Sequence, residues 1–344
     1  MSFPETVQAL AFNKIGGVEE LQKISVPFPE HKPGTIVVKV HWFGVNTIDT
    51  YFRKGLYPIE KFPQTSGLEA SGVIAALPTD EATLNNPDYQ KRRFKIGDNV
   101  AVYGIGAHAE YTVVPWLKTF PVPEGIPLDV ACASSLQGLT AVTHMTEAHN
   151  VQKGETILIH TVAGHLGLLY TQYAKSRGAT VIGTTSSEEK AELAKSFGAD
   201  HVILYTKENT VDRVLEITKG EGVHAVFDGV GKATFMNNFK LVRRKGTLIA
   251  VGNASGPVDP INPLLLGAKN LKLVRPSMAV YITTPEETEH YLSELFRVLA
   301  DGSVKVRIAN VYPFTTEGGR QAQIDLTTPG GKIAGKLLIK VSDE

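Results

Sequence analysis

The sequence is poor in cysteine, and Cys132 is the only one among its 344 residues. A single cysteine excludes a disulfide within the chain, and it excludes a metal cluster built from several thiolates. Low cysteine usage also suits a reducing compartment. We therefore expect a protein that depends on its hydrophobic core and not on covalent cross-links.

Charge of one sign is not in excess either. Lys plus Arg and Asp plus Glu balance at 35 each, so the chain as a whole has no electrostatic attraction to nucleic acid or to an anionic membrane. No run of about 18 apolar residues is present, and the first residues lack the basic and apolar segments of a targeting signal. We expect an untargeted cytoplasmic protein.

A turn containing glycine organises the middle of the chain. The apolar run that ends at Ile159 is followed by Val162-Ala163-Gly164-His165-Leu166-Gly167 and then by helical periodicity to Lys175. Strand, glycine turn and helix in this order open a dinucleotide-binding βαβ unit, with the pyrophosphate at the helix N-terminus. Because Val162 replaces the first glycine of the GxGxxG pattern, the turn alone is weak support for such a site.

Two sequence textures surround this turn. Residues 1–136 contain short strands separated by Gly and Pro, which predicts a β-barrel. Residues 137–275 alternate strands with helices, which predicts one doubly wound parallel sheet. Residues 276–344 contain a helix at Pro285–Ala300 and then resemble the first texture. We predict that 1–136 and 276–344 form a catalytic domain, that 137–275 form a nucleotide-binding domain, and that a cleft lies between them.

Three local features are also predicted. An apolar helix is expected from residue 130 to about 148, and a strand over 246–251. The polar residues 78–94 are expected to form a surface insertion, in which Lys91, Arg92 and Arg93 face solvent.

Several segments together resemble one known family. They are residues 44–58 with an Asn-x-x-Asp-x-Tyr block, 67–72, the glycine turn, 251–256 and 275–277. The chain resembles, over essentially its whole length, the NADPH:quinone oxidoreductases, the zeta-crystallin-like branch of the zinc-independent medium-chain dehydrogenase/reductase superfamily. The resemblance implies an α/β protein with a GroES-like β-barrel catalytic domain and a doubly wound Rossmann domain that binds NADPH.

The resemblance also bears on metal. Zinc-dependent members of the superfamily carry a cysteine where this chain has Asn46 and a histidine where it has Leu68. Neither side chain present here can replace those ligands. We predict a reaction without metal, and alcohol dehydrogenation is disfavoured because no Lewis acid would stabilise an alkoxide.

The cofactor prediction depends on the end of the second strand of the Rossmann domain. This strand ends in Thr184-Thr185-Ser186 and lacks the acid that binds the ribose 2′-hydroxyl of NAD. Ser186 and Lys190 offer instead a donor and a positive charge for a 2′-phosphate, and the resemblance implies the same role for Lys190 and Tyr205. The other cofactor-binding candidates are Ala163, Gly164, His165, Leu166 and Gly167 at the pyrophosphate, Thr140, Val251, Gly252 and Asn253 beside the nicotinamide, and Lys336. His165 stands where the family usually has glycine, and it either contacts the pyrophosphate or crowds it.

The resemblance places the catalytic candidates Asn46 and Tyr51 against the nicotinamide, where they would orient a substrate carbonyl by hydrogen bonds. Arg53 and Tyr57 are predicted to line the substrate cleft. A quinone is already electrophilic, so the site needs little beyond a nicotinamide held against an apolar slot. We predict NADPH-dependent reduction of quinones, with ortho-quinones favoured. Transfer of a hydride and transfer of single electrons both stay open.

Two alternatives and one assembly state complete the predictions. A reductase of α,β-unsaturated ketones or aldehydes would use the same cofactor domain. Relatives of zeta-crystallin are associated with AU-rich RNA, and a secondary role of this kind would use the basic residues Lys240, Arg243, Arg244 and Lys245, although a solvated helix end is the simpler interpretation. An apolar edge strand from Leu271 to residue 274 predicts a homodimer through that edge.

Overall fold

The computed structural model describes residues 3–328, 330 and 333–342. The chain divides into two units. The first contains residues 1–136, 282–296 and 306–344, and the second contains residues 137–281 and 297–305. These bounds differ from the predicted ones at 276–281 and 297–305, which belong to the second unit.

The strands of the described residues are listed in chain order: β1 Thr6–Phe12, β2 Gln22–Pro27, β3 Thr35–Val45, β4 Gln64–Thr65, β5 Glu69–Ala76, β6 Asn99–Tyr103, β7 Tyr111–Pro115, β8 Thr119–Pro121, β9 Thr156–Ile159, β10 Thr180–Thr185, β11 His201–Leu204, β12 Val223–Asp228, β13 Val242–Ala250, β14 Lys272–Val274, β15 Ile308–Pro313 and β16 Lys336–Lys340.

The α-helices of the same residues are α1 Thr47–Arg53, α2 Glu81–Leu84, α3 Pro87–Arg92, α4 Leu128–Ser135, α5 Gln137–Thr143, α6 His165–Ser176, α7 Glu188–Ser196, α8 Thr210–Ile217, α9 Phe235–Leu241, α10 Leu264–Gly267, α11 Met278–Tyr281, α12 Pro285–Ala300 and α13 Thr316–Thr327. Short 3₁₀ helices occupy Val18–Glu20 and Trp116–Lys118, and a π-helix occupies His144–Ala148.

The first unit is built on β3, the longest strand. It lies in a sheet of order β15-β16-β3-β5-β6-β8, in which β7 also pairs with β3, while β2, β1 and β4 form a second sheet. Apolar residues of these strands, including Phe12, Phe43 and Leu337, share one buried core. Strand β16 pairs with β3, so residues far apart in the sequence are neighbours in one sheet.

The second unit is a parallel sheet of order β11-β10-β9-β12-β13-β14. The order reverses direction at β9, and a dinucleotide binds outside the carboxyl ends of the strands at such a switch point. The doubly wound architecture predicted from the alternating texture is confirmed. No helix of the described residues is long and apolar enough to cross a membrane.

Two local predictions were wrong, and a third, the surface segment 78–94, holds for Lys91 and Arg93, which are exposed, but not for Arg92. The helix expected over 130–148 is divided into α4, α5 and the π-helix. Strand β13 begins at Val242, four residues before the predicted start, so the basic run at 243–245 lies within a strand. The segment 78–94 forms α2 and α3, and its Tyr89 and Phe94 are buried in the core of the first unit. Its Arg92 side chain is 7% exposed and pairs with Glu289 at 2.8 Å.

Candidate functional site

The glycine turn joins β9 to α6 at the carboxyl edge of the parallel sheet. Thr161 adopts a left-handed conformation with φ of 57°, and Gly164 caps α6, whose first residue is His165. A Cβ on Gly167 would lie 2.4 Å from Thr161 O, so only glycine fits there. The glycine turn thus packs closely against the first turn of α6, and binding of a pyrophosphate at this helix end stays a prediction.

Val162 holds the position of the missing first glycine, and β10 makes room for it. A Cβ on Gly183 would lie 2.5 Å from the Val162 side chain, and Val162 N–H donates to Thr184 O at 3.0 Å. The compensating glycine lies within a strand, where glycine often marks the close approach of another group. A glycine at position 183, inside a predicted strand, is the sequence signal of this contact.

The phosphate candidates are Ser186, Lys190 and Tyr205. Ser186 follows β10 and Tyr205 follows β11, and these parallel strands are neighbours, so both residues lie at one edge of the sheet. Lys190 is in the first turn of α7, where its N–H donates to the Ser187 hydroxyl at 3.4 Å. Tyr205 is 51% exposed, and partial burial lowers the pKa of Lys190. The structure brings these three predicted residues together.

Asp228, at the end of β12, fixes the segment predicted to lie beside the nicotinamide. Its carbonyl oxygen accepts from Val251 N–H at 2.7 Å and from Gly252 N–H at 3.1 Å. Asn253, with its amide oriented so that both ends have partners, accepts from Arg275 at 3.3 Å. Thr140 is buried on α5. Contact of these residues with a nicotinamide stays a prediction.

The Asp228 carboxylate starts a buried chain of hydrogen bonds that the sequence did not reveal. It accepts from Val230 N–H at 2.8 Å and from the Asn238 amide at 2.7 Å. Asn238 Oδ1 bonds to His160 Nε2 at 2.9 Å, and His160 Nδ1 bonds to Thr184 at 3.0 Å. Because Asn238 Oδ1 can only accept, Nε2 carries the proton of the neutral ring. The chain joins the ends of β12, β9 and β10 beneath the glycine turn.

A second group of polar residues is buried in the first unit. We call Asn46, Asp49, Glu69, His108 and Lys336 the buried cluster; each is at most 3% exposed. Asn46 donates from Nδ2 to Glu69 Oε1 at 2.7 Å and accepts at Oδ1 from Lys336 Nζ at 2.8 Å. Lys336 also pairs with Glu69. The other Glu69 oxygen accepts from Ser135 Oγ at 3.1 Å and Leu136 N–H at 2.9 Å.

Asp49 and His108 complete this cluster. Asn46 precedes α1, and its N–H donates to Asp49 Oδ2 at 2.8 Å, as in a helix cap. His108 Nε2 lies 3.0 Å from Gly44 O and 3.8 Å from Asp49 Oδ2. Burial lowers the pKa of His108 to about 3 and raises the pKa of Asp49 to about 7. Both groups therefore favour their neutral forms.

The remaining predicted site residues of the first unit are Tyr51, Tyr57, Arg53 and Lys336. The rings of Tyr51 and Tyr57 are half-buried and meet edge to face, with centroids 5.8 Å apart. Arg53 is 3% exposed and donates to Gln323 at 2.8 Å and Gly16 O at 2.7 Å. Asn46 is buried to the same extent, so burial does not decide between the predicted roles, and contact of Arg53 with a substrate stays a prediction. Lys336 binds Asn46 and Glu69, and its contact with a cofactor stays a prediction.

The described residues contain no group of three or more His, Cys, Asp or Glu side chains that could hold a metal ion. Leu68 is buried next to Glu69, and the Asn46 amide is bonded to Lys336 and Glu69. A reaction without metal stays a prediction, to be tested by metal analysis of the purified protein.

Comparisons with known proteins point in one direction. Residues 32–124 match the alcohol dehydrogenase GroES-like domain, and residues 166–297 match the zinc-binding dehydrogenase family. The quinone oxidoreductase of Salmonella typhimurium is 37% identical over 317 residues, which are 91% of this chain and 94% of that protein. The 2-haloacrylate reductase of a Burkholderia species is 32% identical over 331 residues, 92% and 96% of the two chains.

A solved structure agrees with these relatives. The Escherichia coli quinone oxidoreductase complexed with NADPH has a TM-score of 0.86 and 33% sequence identity, covering 97% of this chain and all of that one. The fold class predicted from the sequence, a GroES-like domain with a Rossmann domain, is therefore confirmed.

Proposed function

Because the chain belongs to the quinone oxidoreductases of the medium-chain dehydrogenase/reductase superfamily, we propose that it reduces quinones with NADPH. The observation that carries the cofactor assignment is the grouping of Ser186, Lys190 and Tyr205 at the ends of β10 and β11, where β10 ends in Thr184-Thr185 without the acid that binds the ribose 2′-hydroxyl of NAD. A carboxylate there would repel a 2′-phosphate, whereas a hydroxyl and an ammonium group attract it.

The residues of this chain would bind and orient the two reactants. The amino end of α6 receives the pyrophosphate, and the phosphate candidates bind the 2′-phosphate. When bound, NADPH supplies the reducing equivalents. Asn46 is held with its amide oriented by Lys336 and Glu69, and Tyr51 lies one turn further along α1. In our proposal, this end of α1 orients the quinone carbonyl in a cleft that also holds the nicotinamide, and no metal takes part.

The assay that tests this function measures NADPH consumption with a panel of ortho-quinones, para-quinones and enones. We expect turnover of quinones, fastest with ortho-quinones, and little turnover when NADH replaces NADPH. Treatment with a chelator should leave the rate unchanged. Reduction of enones without any quinone-dependent loss of NADPH would contradict the proposal.

Reduction of α,β-unsaturated substrates is the second candidate function. The Burkholderia 2-haloacrylate reductase, which is 32% identical to this chain, supports it because its name describes reduction of an activated double bond. The same panel separates the two, since an enone reductase must protonate an enolate after hydride transfer and a quinone reductase need not.

We further propose a cytoplasmic homodimer joined through β14. Among the described residues β14 pairs only with β13, and Leu264, next to this edge in sequence, is 82% exposed. An unpaired apolar edge favours association with a second copy. Light scattering should give the mass of a dimer, and Leu273→Lys should give a monomer; a wild-type monomer would refute this assembly.

A secondary role in binding AU-rich RNA is a weaker proposal. Lys240, Arg244 and Lys245 are exposed, whereas Arg243 is half-buried and contacts His224 at 2.5 Å. RNA binding should weaken steeply with salt if this patch is used. No binding at low salt would remove the proposal.

A further inference from the structure

A small cavity in the first unit lies beside Asp49, at the border of the buried cluster. Phe12, Phe52 and Leu68 line it together with the polar residues Asp49 and Ser66. Its volume is about 10 Å³, measured as the space open to the centre of a water molecule, and by that measure a cavity needs about 10–15 Å³ to hold one water. The cavity is thus large enough for one water and too small for an organic ligand.

Two polar atoms of the cavity lining have no hydrogen-bond partner within the described part of the chain. They are Asp49 Oδ1 and Ser66 Oγ, in residues that are 1% and 5% exposed. Nearly all buried polar atoms in proteins are hydrogen-bonded, and internal water commonly serves where the protein does not. We therefore expect a water molecule that forms hydrogen bonds with both atoms.

The contacts of Asp49 decide where its proton lies. Oδ2 accepts the Asn46 N–H at 2.8 Å, so this oxygen acts as an acceptor. A neutral carboxyl group has a single O–H donor. That donor is best placed on Oδ1, where it points to the cavity and needs an acceptor, which a water oxygen provides.

Burial, rather than the charged groups around it, favours the neutral form of Asp49. Lys336 from β16 and Glu69 from β5 pair with each other, and His108, at 3.8 Å, is kept neutral by burial, which lowers its pKa. An ionised Asp49 would add an unbalanced negative charge to the interior. Burial, reinforced by Glu69 and opposed by Asn46 N–H and Lys336, raises the pKa of Asp49 to about 7.

We propose that Asp49 and Ser66 bind one internal water molecule, to which Asp49 donates from Oδ1, and that Asp49 is a positioning residue for Asn46. Neutral Asp49 leaves the Lys336 ammonium group to Asn46 and Glu69. Ionised Asp49 competes for that ammonium group and releases the oriented Asn46 amide. The positioning role rests on the proposed function, whereas the water site does not.

Infrared spectroscopy of the wild-type protein tests the water site without activity. Between about pH 6 and about pH 8 the spectrum should lose a carboxylic acid C=O band. This change should be absent in Asp49→Asn, which keeps the shape of the neutral acid. In Ser66→Ala the band should shift, because the water loses a partner. Ser71→Ala is the matched control, since its hydroxyl is also buried but donates to Leu128 O at 2.6 Å.

A high-resolution crystal structure at about pH 6 supplies the direct observation. A water within hydrogen-bond distance of Asp49 Oδ1 and Ser66 Oγ is expected. An empty cavity overturns the proposal, and so does a carboxyl band that persists in Asp49→Asn. The crystal structure and the pH-dependent loss of the carboxyl band can both be recorded on the wild-type protein if a variant does not fold, and a wild-type spectrum without that loss also overturns the proposal.

The pH profile of kcat/KM for quinone tests the positioning role. The wild type should lose about tenfold per pH unit above the pKa of Asp49, while Asp49→Asn should stay constant across that range. A profile that is identical in the two proteins overturns this role even where the water is present. Absence of quinone turnover in both, with the infrared change intact, would instead count against the proposed function.

Discussion

The buried cluster and the phosphate candidates differ in whether their charged groups are paired within the protein. Lys336 and Glu69 are at most 1% exposed and bind each other and Asn46, so their charges are balanced inside the protein. Lys190 is half-buried and Tyr205 is 51% exposed at the sheet edge. A charge balanced internally maintains shape, whereas a charge left at an edge is available to a ligand. The first group should therefore govern stability, and the second should govern cofactor affinity.

The largest effect is expected for Lys336→Met. This change leaves Glu69 and Asn46 buried without the ammonium group, and loss of one member of a buried pair typically costs about 3–5 kcal/mol of unfolding free energy. Urea denaturation measures it. Lys340→Met, on the same strand but exposed, is the control. Adding Glu69→Gln should restore part of the loss; an unchanged midpoint in Lys336→Met would show that the pair contributes nothing.

The buried cluster should also make stability depend on acid through His108. Burial lowers the pKa of His108 to about 3 from 6.5, so the unfolded chain takes up a proton that the folded protein refuses. This contribution to the free energy of unfolding is complete above pH 6.5 and is lost as the pH falls toward 3. The loss reaches roughly 3 kcal/mol near pH 4. Asp49 works in the opposite direction, since its pKa is raised.

Denaturation curves between about pH 4 and about pH 7 check this prediction. In His108→Asn the slope of unfolding free energy against pH should be less positive than in the wild type, whatever the stability at neutral pH. Equal slopes would mean that His108 is protonated in the folded protein as readily as in the unfolded chain.

On the other side of the comparison, Lys190→Ala should weaken NADPH binding without affecting folding. Loss of one charged hydrogen bond to a phosphate costs about 1.5–3 kcal/mol, or roughly 10- to 100-fold in Kd. Calorimetric titration should show this loss with NADPH and none with NADH. Lys195→Ala, on the same helix and paired with Glu192 at 2.9 Å, should bind both cofactors normally. Equal weakening for NADPH and NADH would move Lys190 away from the 2′-phosphate.

The smallest effect is expected for Tyr51→Phe, which removes one hydroxyl from a half-buried ring. If that hydroxyl orients the quinone, kcat should fall about fivefold, the equivalent of about 1 kcal/mol. Stability should be unchanged. Tyr111→Phe, which removes a hydroxyl from a half-buried ring on β7, is the matched control. Equal kcat values for both variants and the wild type would leave Tyr51 with a packing role only.

Local patterns predicted the framework well. The bounds of α12 agree with those read from the sequence, because helix signals depend on neighbouring residues. The glycine turn was recognised for the same reason. These features fix the carboxyl edge of the parallel sheet, and with it the place of the phosphate candidates.

Contacts between distant residues could not be predicted in this way. Glu69 and Lys336 are 267 positions apart, and no pattern in the chain states that they meet. The polar pattern of segment 78–94 gave no sign that Tyr89 is buried, and nothing local to Arg53 indicated its hydrogen bond to Gln323, 270 positions away. The buried cluster could therefore not be predicted from the sequence, although Glu69 lies next to Leu68 in segment 67–72, which carries part of the family resemblance.

The contact between Val162 and Gly183 limits the order in which these two residues can be substituted. With valine at 162, even an alanine at 183 would lie 2.5 Å from its neighbour, so that intermediate is blocked. A lineage that changed Val162 to glycine first would be free to enlarge residue 183 afterwards, and the reverse order would pass through a misfolded form. Sequences descended from this one should therefore vary at 183 only after they have varied at 162.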